Sequence, residues 1–271
     1  MSLSERPIGV FDSGVGGLTV LRALRAALPA ESFLYLGDTA RLPYGTKSEH
    51  TVVRYALQAA DELVERDIKA LVVACNTASA AALPALQQRH AGLPVIGVIE
   101  PGARAACAAS TRGQIAVLAT ESTVRGGAYA RAIARLRPDA RVRSLACPLF
   151  VALAEEGWTE GAVAEAAAAR YLAPLAGQAD TLVLGCTHFP VLATVIAACF
   201  GPEVRIVDSA ATTAAAVRRE LADRGLLRDA GGASPAGWRF LATDGAERFA
   251  AVGARFLGAP IAAANVELID L

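Results

Sequence analysis

The chain has 271 residues, 54% of them hydrophobic, with 26 basic and 26 acidic side chains. That is enough apolar material for one large or two ordinary cores, and too much for a disordered polymer. Balanced charge without a basic run gives no electrostatic ground for nucleic-acid binding and points to a small-molecule ligand.

Five cysteines, at 75, 107, 147, 186 and 199, are odd in number and widely spaced. No Cys-x-x-Cys or Cys/His cluster accompanies them, which argues against a disulfide framework or a structural zinc and suits a reducing compartment. Met1 to Arg6 is polar, and no apolar run in the chain is long enough to span a bilayer. A cytoplasmic protein without a membrane partner is expected.

From there, short Val/Ile/Leu runs alternate with longer alanine-rich amphipathic stretches, the pattern of βαβ units around a parallel sheet. In chain order the expected strands are 8–11, 33–37, 70–74, 95–98, 115–119, 142–145, 181–185, 205–207 and 238–241. The expected helices are 18–28, 48–66, 78–89, 103–109, 126–136, 161–175, 210–224 and 246–257, with a loop over 231–235. Pro94 and Glu100-Pro101-Gly102 mark a crossover into a second domain, while the packing of the C-terminal third stays open at this level.

Two segments read as copies. Leu71-Val72-Val73-Ala74-Cys75-Asn76-Thr77 and Leu182-Val183-Leu184-Gly185-Cys186-Thr187-His188 each run from a buried strand through a small residue to a cysteine and hydrogen-bonding side chains. The stretch from Ile8 to Gly17 likewise resembles that from Ile115 through Thr120, Thr123 and Gly126-Gly127. The offsets are 107 residues for the Ile8 pair and 111 for the cysteines, so two related α/β halves are expected. Ligands bind at strand ends of open α/β sheets, so two thiols in equivalent places imply one site with sulfur on both sides. Such a site can move a proton across a carbon centre. Cys107, Cys147 and Cys199 read as small core hydrophobes.

Asp12-Ser13-Gly14-Val15-Gly16-Gly17 follows a strand, and its glycines permit a tight turn with N–H groups open to an anion. The G-x-G-x-x-G spacing of a dinucleotide site is absent. Asp12 reads as a helix cap, or as a group that holds a substrate ammonium or positions a thiol. Pro43-Tyr44-Gly45 lies in a polar loop before Ser48, the expected cap of the next helix, and is by itself an ordinary turn; beside the other motifs it is a candidate wall for a carboxylate. Cys75 and Cys186 stand at helix N-termini, where the dipole favours thiolate. Asn76, Thr77 and Thr187 can hydrogen-bond a carboxylate, and His188, two residues after a thiol, can set its protonation. His50 and His90 read as surface residues. Only Lys47 and Lys69 could form a Schiff base, Lys47 in a loop and Lys69 in a polar approach to a strand, so pyridoxal phosphate is not expected and the chemistry reads as cofactor-free.

Taken together, Phe11-Asp12-Ser13-Gly14-Val15-Gly16-Gly17-Leu18-Thr19, Gly37-Asp38-Thr39, Pro43-Tyr44-Gly45, Ala74 to Ser79 and Gly185 to Pro190 resemble the cofactor-independent aspartate/glutamate racemase superfamily, and within it the glutamate racemases. The resemblance covers nearly the whole chain. It implies two pseudo-symmetric parallel-sheet α/β domains with the active site between them, the first comprising 1–98 plus 208–271 and the second 99–207. It implies interconversion of L- and D-glutamate for peptidoglycan, with Cys75 and Cys186 as the proton donor/acceptors, and a homo-oligomer, a dimer. Asp12, His188 and an acidic residue after Cys147-Pro148, Glu155 in preference to Glu156, resemble the groups that assist the thiols. Asp12, Ser13, Pro43, Tyr44, Gly45, Asn76, Thr77, Thr120, Thr123, Thr187 and His188 match substrate-contacting positions. Ala152 and Ala154 are smaller than the pattern expects. A racemase of aspartate or another amino acid is the alternative within the class; a nucleotide-binding or redox protein, or a binding protein for acidic amino acids, are the alternatives outside it.

Overall fold

A computed structural model describes residues 2–229 and 237–271, so the loop expected over 231–235 lies outside the described residues. The first half alternates β1 (Ile8–Asp12), α1 (Leu18–Ala27), β2 (Phe33–Gly37), α2 (Glu49–Glu65), β3 (Ala70–Val73), α3 (Asn76–Arg89) and β4 (Val95–Gly97). Helix α4 (Ile99–Ala109) leads into the second half. There the order is β5 (Gln114–Ala119), α5 (Glu121–Gly126), α6 (Ala128–Leu136), β6 (Arg141–Ala146), α7 (Leu149–Glu156), α8 (Ala162–Leu172), β7 (Thr181–Gly185), α9 (Ala193–Ala198) and β8 (Arg205–Asp208). Helix α10 (Ser209–Asp223), β9 (Trp238–Ala242), α11 (Ala246–Leu257) and β10 (Val266–Leu268) complete the chain.

Two parallel sheets result, ordered β10-β9-β2-β1-β3-β4 and β6-β5-β7-β8. The run β2-β1-β3-β4 has the same order as β6-β5-β7-β8, so the repeat legible in the sequence is a repeat of topology. Cys75 follows β3 and Cys186 follows β7, in equivalent places. The C-terminal segment returns to the first sheet, with β9 beside β2.

β1, β2, β3 and β7 are buried along their whole length, as strands covered by helices on both faces must be, which is why they read as continuous apolar runs. Helix starts are set locally. Ser48 accepts from Thr51 N–H at 3.3 Å to open α2, and Asp208 accepts from Ala210 N–H at 2.8 Å to open α10. One continuous apolar core runs through both halves, from Val10 and Val72 to Leu118 and Val183, while Phe11, Leu36, Val52 and Val73 pack on the other face of the first sheet.

The elements differ from expectation in several places, and α9 and β10 have no expected counterpart. The helix expected over 126–136 is α6, which starts only at Ala128, and a short unexpected helix, α5, precedes it; Gly127 takes a left-handed conformation (φ 64°) between them. Helix α7 was not foreseen, since its apolar run lacks a polar face to mark a helical period; Pro148 before it and Gly157 after it (φ 76°) are its boundary signals. Lys69 stands in the approach to β3, but its side chain is buried and paired with Glu31.

Candidate active site

The carboxyl ends of β1 and β3 meet those of β5 and β7 around a cavity of about 280 Å³. In each sheet the chain passes to both sides of its central strand, β1 or β5, which opens a crevice at those ends. Cys75 and Cys186 both line the cavity, one from each half.

Cys75 is the N-cap of α3. Its sulfur accepts from Ala78 N–H at 3.4 Å, and its thiol donates to Ser13 Oγ at 3.4 Å. The dipole was expected to favour thiolate here; instead burial, followed by the negative charge of Asp12, pushes the thiol up to about 12. A sulfur removed from water loses more by desolvation than two weak hydrogen bonds return. Cys186 Sγ lies 3.8 Å from His188 Nδ1, and His188 Nε2 is 3.2 Å from Glu155 Oε1. Burial alone would lower the imidazole. Its hydrogen bonds to Cys186 and Glu155, with the negative charges of Cys186 and Asp12, outweigh burial and hold it up at about 10. The His188 hydrogen bond in turn holds Glu155 below its ordinary value despite burial, with help from Arg248. Glu156 is exposed and lines no part of the cavity, which separates the two acidic candidates by position.

Ser13, Pro43, Tyr44, Gly45, Asn76, Thr77, Thr120, Thr187 and His188 also line the cavity. Asp12 and Thr123 lie one layer behind it. Asp12 is fully buried and accepts from Gly14 N–H at 3.0 Å; burial raises its carboxyl, opposed by the positive charge of His188. It therefore braces the turn and is not a helix cap, since α1 begins at Leu18 with Gly17 as N-cap and no side-chain cap hydrogen bond. Thr123 closes a triangle of hydroxyls with Thr77 (3.2 Å) and Thr120 (3.0 Å), and the 2.9 Å Thr77–Thr120 edge ties the two halves together.

The glycine turn makes room more than it presents N–H groups. A Cβ on Gly16 would stand 2.4 Å from Thr187 Oγ1 and 2.5 Å from the His188 ring, and one on Gly17 would stand 2.7 Å from the Asp12 carboxyl carbon. Asn76 Oδ1 accepts from Tyr129 O–H at 2.7 Å, while its Nδ2 is buried without a partner among the described residues and so is a free donor at the cavity wall. Among the described lining residues there is no Lys or Arg. An anionic ligand would be held by hydroxyls, the Asn76 amide and the N-termini of α3 and α5.

Sequence reasoning missed Leu42, Thr46, Glu121, Val151 and Ala152 of the lining. Ala152 was singled out only for its small size, and that is its position in the site: a short side chain at the cavity wall. It also missed the short O–H hydrogen bond from Tyr44 to Asp38, whose carboxylate also takes Arg41 Nε at 2.7 Å. The motif Gly37-Asp38-Thr39 was the available signal.

Residues 8–217 match the family model described as Asp/Glu/Hydantoin racemase. A glutamate racemase of Geobacter metallireducens is 54% identical over 255 residues, 93% of each chain. One from Neisseria meningitidis is 48% identical over 268 residues, 98% of this chain and 97% of that one. A solved structure of the Francisella tularensis glutamate racemase in complex with D-glutamate superposes with a TM-score of 0.91 at 36% identity, covering 98% of both chains. The chain belongs to the Asp/Glu/hydantoin racemase family, and the relatives that match it along nearly its full length are glutamate racemases.

Proposed function

We propose that this protein interconverts L- and D-glutamate by two-cysteine proton transfer, without a cofactor. The observation that carries the reading is that Cys75 and Cys186, from equivalent strand ends of two repeated halves, line one cavity. In the mechanism, one sulfur as thiolate takes the α-proton from one face, and the other as thiol gives a proton to the opposite face. Each turnover thus leaves the two sulfurs with their protonation states exchanged. His188, held as a cation 3.8 Å from Cys186, favours negative charge on that sulfur. Cys75, pushed up to about 12, is the protonated partner. Ser13, Asn76, Thr77, Thr120 and Thr187 supply the donors for the carboxylates, in a buried pocket where fixed dipoles act strongly on developing negative charge.

Sheet membership supports dividing the chain into 1–98 with 208–271 and 99–207, and in this reading the site lies between the two units. Supply of D-glutamate for peptidoglycan in the cytoplasm is the role this reading carries.

The test is to incubate metal-free, pyridoxal-free protein with L-glutamate, and separately L-aspartate, in D₂O. Circular dichroism decay together with α-deuterium incorporation is expected for glutamate. Cys75→Ala and Cys186→Ala are each expected to abolish racemisation, while Cys107→Ala leaves turnover intact; full racemisation in either of the first two variants would overturn the assignment.

A further inference from the structure

Helix α11 reaches the site from outside it. Glu155 turns Oε1 to His188 and offers Oε2 to Arg248 Nη2 at 3.1 Å, and its main-chain carbonyl accepts from Arg255 Nη1 at 2.5 Å. Both arginines belong to α11, as does Phe256, which packs edge-on against the imidazole with ring centroids 5.1 Å apart. Glu155 and Leu42 line the 280 Å³ cavity and also a neighbouring cavity of about 120 Å³ bounded by Val15, Arg248, Phe249 and Val252. A partition one side chain thick therefore separates the substrate space from a second space beside α11.

We propose that Arg248 is a positioning residue: from α11 it fixes the Glu155 carboxylate across the cleft, so that Oε1 stays on His188 and the partition stays closed. The inference rests on the racemase reading of the site. An ion pair whose arginine is 66% exposed adds little to fold stability, which leaves geometry as its contribution. A carboxylate tethered only through Oε1 could rotate into the adjacent cavity; with Oε2 held by Arg248 and the main chain anchored by Arg255, it cannot swing away without breaking both carboxylate contacts.

The charged groups facing His188 are Cys186 from the end of β7, Asp12 from the end of β1 and Glu155 from α7, with Arg248 and Arg255 of α11 acting through Glu155. Loss of Arg248 then has opposite signs under two roles. If Arg248 only neutralised charge, its removal would leave Glu155 in place and the imidazolium would hold its proton to higher pH. If it positions Glu155, the carboxylate swings away and the imidazolium loses its proton at lower pH.

The experiment is the pH profile of kcat/KM for glutamate in wild type, Arg248→Ala, Arg248→Lys and His188→Asn. Arg248→Ala is expected to lower kcat on the order of tenfold to a hundredfold, as misplacement near a reacting centre does, with the basic limb displaced to lower pH. Arg248→Lys should recover most of both effects, and thermal midpoints should move by less than about 4 °C. A basic limb that stays in place or moves to higher pH in Arg248→Ala overturns the positioning role. His188→Asn at wild-type rate would instead overturn the site reading on which the role depends, so the two failures are distinguishable.

Discussion

At the scale of single residues, the two thiols sit in unequal surroundings: Cys75 is raised by burial and by Asp12, whereas Cys186 has an imidazolium beside it. The proposed two-base racemisation needs one sulfur charged and the other neutral at a time, and these unequal surroundings favour one of the two arrangements. His188 carries a consequence for stability beyond its proposed role in turnover. It is held at about 10 in the folded protein against 6.5 for the free side chain, so the fold keeps a proton that the unfolded chain releases. That stabilisation is complete below about 6.5 and is lost as pH rises through about 10. Between pH 6.5 and 9 the wild-type thermal midpoint should fall, and that of His188→Asn should fall less, as followed by circular dichroism melts. Gly16 offers a second residue-level prediction. A methyl group there would stand 2.4 Å from Thr187 Oγ1 and 2.5 Å from the His188 ring, so Gly16→Ala should cost on the order of a hundredfold in kcat, read by polarimetric assay.

At the scale of elements, the proposed chemistry and the folding share one atom at the start of α3, where the Cys75 sulfur caps the helix through Ala78 N–H. Cys75→Ala removes the cap as well as the acid, at a cost of about 1 kcal/mol, or roughly 2–4 °C in midpoint for a chain of this size. Cys75→Ser keeps an acceptor at the cap and should melt close to wild type while racemisation is lost in both variants. Comparing the two melts with the two rates separates the structural role of the sulfur from the chemical one. The elements themselves were largely legible. Residues 33–37, 181–185 and 246–257 were read to their ends, because each is a full apolar run or an amphipathic period between clear breakers. Helix α7 was not, because eight mostly apolar residues packed over the cavity show no polar face, and β10 was missed because a three-residue edge strand is too short to carry a period.

At the scale of the molecule, the site stands at one end of both sheets, and the opposite end of the first sheet is closed by a buried ion pair. Lys69 Nζ donates to Glu31 Oε2 and to the Ser4 carbonyl at 2.6 Å, and Glu31 Oε1 accepts from Arg228 N–H at 2.9 Å. Four distant segments are thereby joined under β1, β2 and β3. Lys69→Met strands a buried carboxylate and should lower stability by about 3–5 kcal/mol, measured by urea unfolding. The double variant Lys69→Met/Glu31→Leu should lose less, since no uncompensated charge is left inside. Turnover of the folded fraction should be unchanged in both, because the pair lies at the amino ends of the strands, away from the cavity.

The local patterns of the chain were sufficient to place strands, helices, the repeat of two halves and a cysteine at the end of each repeated strand, because a strand, its turn and the helix after it are written within a few consecutive residues. Only the tertiary structure decided that β9 and β10 join the first sheet, that Asp12 and Thr123 stand behind the cavity wall, and that Arg248 reaches Glu155 from 93 residues away. It also reversed the expectation for Cys75: a helix terminus is a local feature visible in sequence, whereas loss of water around the sulfur depends on surfaces contributed by the whole fold.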